Sequence, residues 1–97
     1  MLVVGRVDRH LGLLARLRGE LDVAIERLTT ARRLDAAAGL PLWAAWAAHD
    51  EAAARLQRRA TGHAEEAQEL LAGAAGVALT HGFARLGDRV RAATSTL

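Results

Sequence analysis

Displaced by 43 positions, residues 62–83 fall on residues 19–40: Gly62 over Gly19, Ala67 over Ala24, Leu71 over Leu28, Ala74 over Ala31, Val77 over Leu34, Gly82 over Gly39 and Phe83 over Leu40. Self-similarity at such a period belongs to stacked helical hairpins, in which each unit buries its apolar face only against its neighbours. The repeat therefore predicts an all-α chain of antiparallel helical hairpins, stacked as a short right-handed solenoid of about five helices. One domain spans 1–97, with unit one at about 2–39, unit two at about 41–82 and a closing helix at about 83–94.

Local signals divide the chain in the same way. Val3, Val7, Leu11 and Leu14 recur at helical spacing and predict a first helix over 2–18, stopped by Gly19, with Asp8, Arg9, Arg16 and Arg18 on its wet side. A second helix over 20–38 carries Glu20 and Asp22 in its first turn, where acids complement the helix dipole, and an inward stripe of Leu21, Ala24, Ile25, Leu28, Ala31 and Leu34. Ala24 and Ala31 let two helices approach closely. Pro41 opens a third helix to about Ala60, because proline at a first helical position loses no hydrogen bond. Its inward side is expected to hold Leu42, Trp43, Trp46, Ala47, Ala53 and Leu56, with Glu51–Arg55 as a surface pair. The fourth helix, 63–81, contains Gly73 and Gly76, which mark either a close helix contact or a weak turn. A fifth, 83–93, turns Leu86 and Val90 inward, and 94–97 is expected to fray.

Composition narrows the class. At 97 residues and 52% hydrophobic, the chain suits one domain with a buried core. It has no cysteine, which removes disulfides and thiolate metal sites. No secretory leader or membrane span is evident, so a cytoplasmic location is expected. All 13 basic residues are arginine and stand against 11 acids, a net charge of +2. This small excess and a 3% aromatic content do not suggest a nucleic-acid surface.

Leu11-Gly12, Ala15, Gly19, Ala24, Leu28 and Ala31 resemble the alternation of small and large residues in a tetratricopeptide repeat. The second unit keeps Gly62, Ala67, Leu71 and Ala74, but Ala54-Arg55 replaces the Leu-Gly pair and Arg58 replaces Ala15. The longer period, with the stretch ALTHGFARLGDRVRAA, resembles the helical-repeat region of bacterial LuxR-family (MalT-like) ATPase regulators and related cyclase-linked ATPases. In that family the repeats sense an inducer or partner, while other domains hydrolyse ATP and read DNA. The sequence has no GxxxxGK[ST] phosphate loop, so neither activity transfers to its residues.

The chemistry-bearing residues follow from these limits. His10, His49, His63 and His81 lack i+3 or i+4 histidine partners, and no hydroxyl sits in a catalytic motif, so no catalytic, cofactor or metal site is expected. Trp43 and Trp46, three apart on one helix, are either core fillers or a partner anchor. Arg55, Arg58 and Arg59 form a basic cluster that is either solvated or a contact for an acidic peptide or phosphate. These five residues are the candidate partner-binding set. The expected function is a non-catalytic protein-interaction module of a bacterial regulatory or signalling protein. A DNA-binding regulator and a small-ligand sensor are the alternatives. Two units are few for a repeat protein, and the apolar start of the first helix predicts either a longer array or self-association there.

Overall fold

The computed structural model describes residues 6–95, and all regular structure among them is α-helix. The helices are α1 (Arg6–Leu17), α2 (Leu21–Ala37), α3 (Pro41–Arg58), α4 (His63–His81) and α5 (Ala84–Thr94). Residues 2–5 and 96–97, part of the expected first helix and frayed end, lie outside the described residues. Each helix packs on the next, and α3 also touches α1 and α5. The odd-numbered helices thus lie side by side on one face. On the other face α2 and α4 approach nowhere within 8 Å between Cα atoms. The resulting hairpin stack measures 31 × 31 × 19 Å.

The repeat is visible in the turns. At the end of α2 the Leu40 N–H donates to the Asp35 carbonyl at 2.9 Å, and at the end of α4 the Phe83 N–H donates to the Ala78 carbonyl at 2.9 Å. The residue between, Gly39 or Gly82, has φ of +72° or +71°, which only glycine adopts without a Cβ penalty. Helix α3 ends at Arg58, two residues before the expected Ala60, because Arg59 enters the left-handed region (φ 58°) and its N–H caps the Arg55 carbonyl.

Alanine dominates both cores. Ala15, Ala24, Leu28 and Ala54 join α1, α2 and α3, while Ala52, Ala67, Leu71, Ala74, Leu86 and Val90 help to join α3, α4 and α5. Small side chains bring the axes close, and the gain is dispersion between tightly apposed backbones. Gly12 is the extreme case: a Cβ there would lie 2.7 Å from Leu28 Cγ.

Two further expectations are corrected and one alternative is decided. On α1 the buried residues are Gly12 and Ala15, whereas Val7, Leu11, Leu14 and Leu17 are exposed, Leu17 to 84%. The outermost helix has neighbours on one side only, so half of its apolar girth stays uncovered. On α2, Leu34 faces solvent and Asp35 is buried in its place. On α4, a Cβ at Gly73 or Gly76 would meet nothing within 4 Å, so neither glycine serves a close helix contact.

Candidate partner-binding groove

A groove of about 550 Å³ crosses the face formed by α1, α3 and α5. Arg9 and Arg16 come from α1, Trp43, Trp46, His49 and Asp50 from α3, and Arg85 and Arg89 from α5. Helical spacing explains the convergence: 9 and 16 are two turns apart, 43, 46 and 50 follow a 3,4 step, and 85 and 89 are one turn apart. Three helices therefore each present a single stripe to the same concavity.

The floor is aromatic. Trp43 and Trp46 are both half-buried, and Trp46 also packs against the α3–α4–α5 core. Trp46 thus contributes to the core and also lines the groove. The Arg6 guanidinium stacks over Trp43 at 4.1 Å, the Arg9 guanidinium lies 5.9 Å from the Trp46 ring centre, and His49 meets Trp46 edge-on at 5.9 Å.

The walls are cationic and only partly neutralised. Arg9 Nε donates to Asp50 Oδ2 at 2.7 Å, and His49 Nδ1 donates to Asp50 Oδ1 at 3.1 Å. Arg16 Nε donates to the neutral Gln57 Oε1 at 3.0 Å. Among the described residues, Arg85 and Arg89 meet no acid. Four arginines thus face a single carboxylate, which Arg9 already occupies.

Behind this face, between the N-terminal half of α1 and the last turns of α2, Asp35 is 1% exposed and its Oδ1 has no hydrogen-bond partner. Burial pushes its carboxyl above the ordinary aspartate range, and the nearby Arg6 and Arg9 charges oppose that shift.

The arginine cluster at 55–59 lies elsewhere. Arg55 Nε donates to Glu51 Oε2 at 2.9 Å and its Nη1 reaches Glu66 Oε2 at 2.7 Å, while Arg32 holds Glu51 Oε1 at 2.8 Å. Glu51 is 1% exposed, so the expected surface pair with Arg55 is a part-buried network, centred on a buried acid, that joins α2, α3 and α4. Arg58 reaches Asp22 on α2, and Arg59 leaves the helix as its cap. Of the five candidate residues, Trp43 and Trp46 share the groove, and the three arginines do not join them.

No motif in the sequence marks Arg9, Arg16, Arg85 and Arg89 as site residues. Their spacing within each helix was legible, and Arg89 stands one repeat after Trp46. That α1, α3 and α5 adjoin is a tertiary fact. Among the described residues no cluster of three His, Cys, Asp or Glu side chains is arranged to hold a metal ion, and no helix is long and apolar enough to cross a membrane. Comparison of the chain with protein-family models, with curated proteins and with solved structures finds no match.

Proposed function

We propose that the protein is a non-catalytic, tetratricopeptide-like interaction module that holds an acidic partner segment in the groove across α1, α3 and α5. The observation that carries this reading is the pairing of two half-exposed tryptophans with arginines that have no acid of their own. Tryptophan and arginine supply much of the energy at protein interfaces, tryptophan through apolar area and arginine through forked hydrogen bonds to carboxylates. The likeness to LuxR-family regulators supports a place in a bacterial regulatory or signalling protein, where helical repeats sense a partner.

The reading is tested with the charge reversal Arg85→Glu/Arg89→Glu. Both side chains are exposed on α5, so the fold is expected to persist by circular dichroism. Binding of polyglutamate to the native chain, followed by tryptophan fluorescence, is expected to be lost in this variant. Equal binding by both proteins removes the groove as the site.

A further inference from the structure

The order of groups across the groove specifies more than an acidic ligand. On the α1 side stand Arg9, Arg16 and, against Trp43, Arg6. In the middle, on α3, lie the indoles. On the far side stand Arg85 and Arg89. The sequence across the three helices is cation, aromatic, cation. Resting on the reading of the groove as a partner-binding surface, we propose that its ligand is an extended peptide segment with the complementary order: acid, bulky apolar residue, acid.

The spacing follows from helix packing. Packed helices have axes about 10 Å apart, so α1 to α5 spans roughly 20 Å. An extended chain rises about 3.3 Å per residue, so about six residues carry it from one wall to the other. Acids near positions one and seven then reach the two arginine walls, and the side chain at position three or five lies on the indoles. An even position would turn that side chain away from the helices, because alternate residues of an extended chain point in opposite directions.

The floor favours a peptide over single-stranded nucleic acid. Base stacking needs open ring faces, and one face of Trp43 is covered by Arg6 at 4.1 Å. The Asp50 carboxylate lines the same floor and would repel a phosphate chain running through it. A peptide with its charges at the two ends and an apolar centre avoids that carboxylate.

Trp43 and Trp46 are the only tryptophans and the chain has no tyrosine, so intrinsic fluorescence reports occupancy of this groove directly. The probe is an acetylated, amidated nine-residue peptide free of tryptophan and tyrosine. It carries paired glutamates at each end, a central leucine, and glycine and serine between. Four companions accompany it: one with serine for leucine, one with glutamine for the glutamates at one end, one with glutamine at both ends, and a thymidine decamer.

The parent peptide is expected to bind best. Loss of either the leucine or one acidic end is expected to weaken it about tenfold, since each removes one of the paired contacts. Raising salt from about 0.05 M to 0.3 M is expected to weaken the parent several-fold more than the glutamine peptide, because the Debye length shortens from about 14 Å to about 6 Å and screens the charge contacts. Arg85→Ala/Arg89→Ala is expected to erase the difference between the parent and the peptide with glutamine at one end. If the serine peptide binds as well as the leucine peptide, the proposed pattern is overturned while an acidic-segment site stands. If the decamer binds and the peptides do not displace it, the groove reads nucleic acid and the proposal fails. No response to any acidic probe would remove the partner-binding reading itself.

Discussion

Two buried acids on neighbouring helices show how differently a carboxylate can be accommodated. Glu51 is held by Arg32 and Arg55, with Glu66 extending the network. Arg58–Asp22, by contrast, lies at the surface. Glu51→Ala is expected to cost about 2–4 kcal/mol because it leaves guanidinium groups half-buried without their acid. Arg58→Ala is expected to cost under about 1 kcal/mol, as exposed pairs do. Urea unfolding of the two variants measures the contrast. Asp35 feels the charges of Arg6 and Arg9 without an ion pair to either, and its Oδ1 is unpaired. Its carboxyl titrates higher in the folded chain than in the unfolded one, so the folded state binds the extra proton. The resulting stability is complete below the unfolded value and is lost as pH rises through the folded one. Asp35→Asn is therefore expected to raise the melting temperature at pH 7 and to lose that advantage as the solution is acidified toward pH 4. A gain that is the same at both pH values would show that ionisation of Asp35 is not the cause.

At the scale of single elements, glycine separates into two uses. Gly12 of α1 faces Leu28, whereas Gly76 of α4 faces open space. Gly12→Ala is expected to destabilise by about 1–3 kcal/mol through overpacking, and Gly76→Ala to stabilise by up to about 1 kcal/mol through helix propensity. Opposite shifts in thermal midpoint confirm the assignment; shifts of one sign refute it. The sequence treated Gly73 and Gly76 as ambiguous because helical spacing says which residues share a face and not what that face meets. The same limit explains Leu34 and Asp35. They are neighbours on one turn, and the packing of the adjoining helices decides which of them is covered. Helix existence was legible because glycine, proline and first-turn acids mark ends locally. The end of α3 was misplaced because an arginine took the left-handed cap that glycine usually supplies.

For the molecule as a whole, the two ends of the stack differ. The α2–α3 side of the cleft bounded by α2, α3 and α4 is repeated between α4 and α5 in the same register: Ala36 and Leu79, Gly39 and Gly82, Leu40 and Phe83, Ala44 and Gly87 line equivalent places. Ala45 and Ala48, however, become Asp88 and Arg91, which pair with each other. Helix α5 thus turns a charged pair outward where α3 turns alanines. Helix α1 leaves Val7, Leu14 and Leu17 exposed. If that apolar face supports the expected self-association, sedimentation at rising concentration gives a mass above 10.3 kDa and Leu17→Glu restores the monomer value. A monomer at every concentration ends that expectation.

The sequence by itself determined the helices, their order and the hairpin stack, because a 43-residue echo and local end signals are written along the chain. It also marked Trp43 and Trp46. It did not disclose that they share a groove with Arg9, Arg16, Arg85 and Arg89, nor that Arg55 also reaches Glu66. Those pairings join residues from 11 to 46 positions apart, and only the packing of α1, α3 and α5 on one face and of α3 against α4 brings them together. Periodicity assigns a side chain to a face of its own helix. Which charge meets which is decided between helices, where distance through space has no counterpart in distance along the chain.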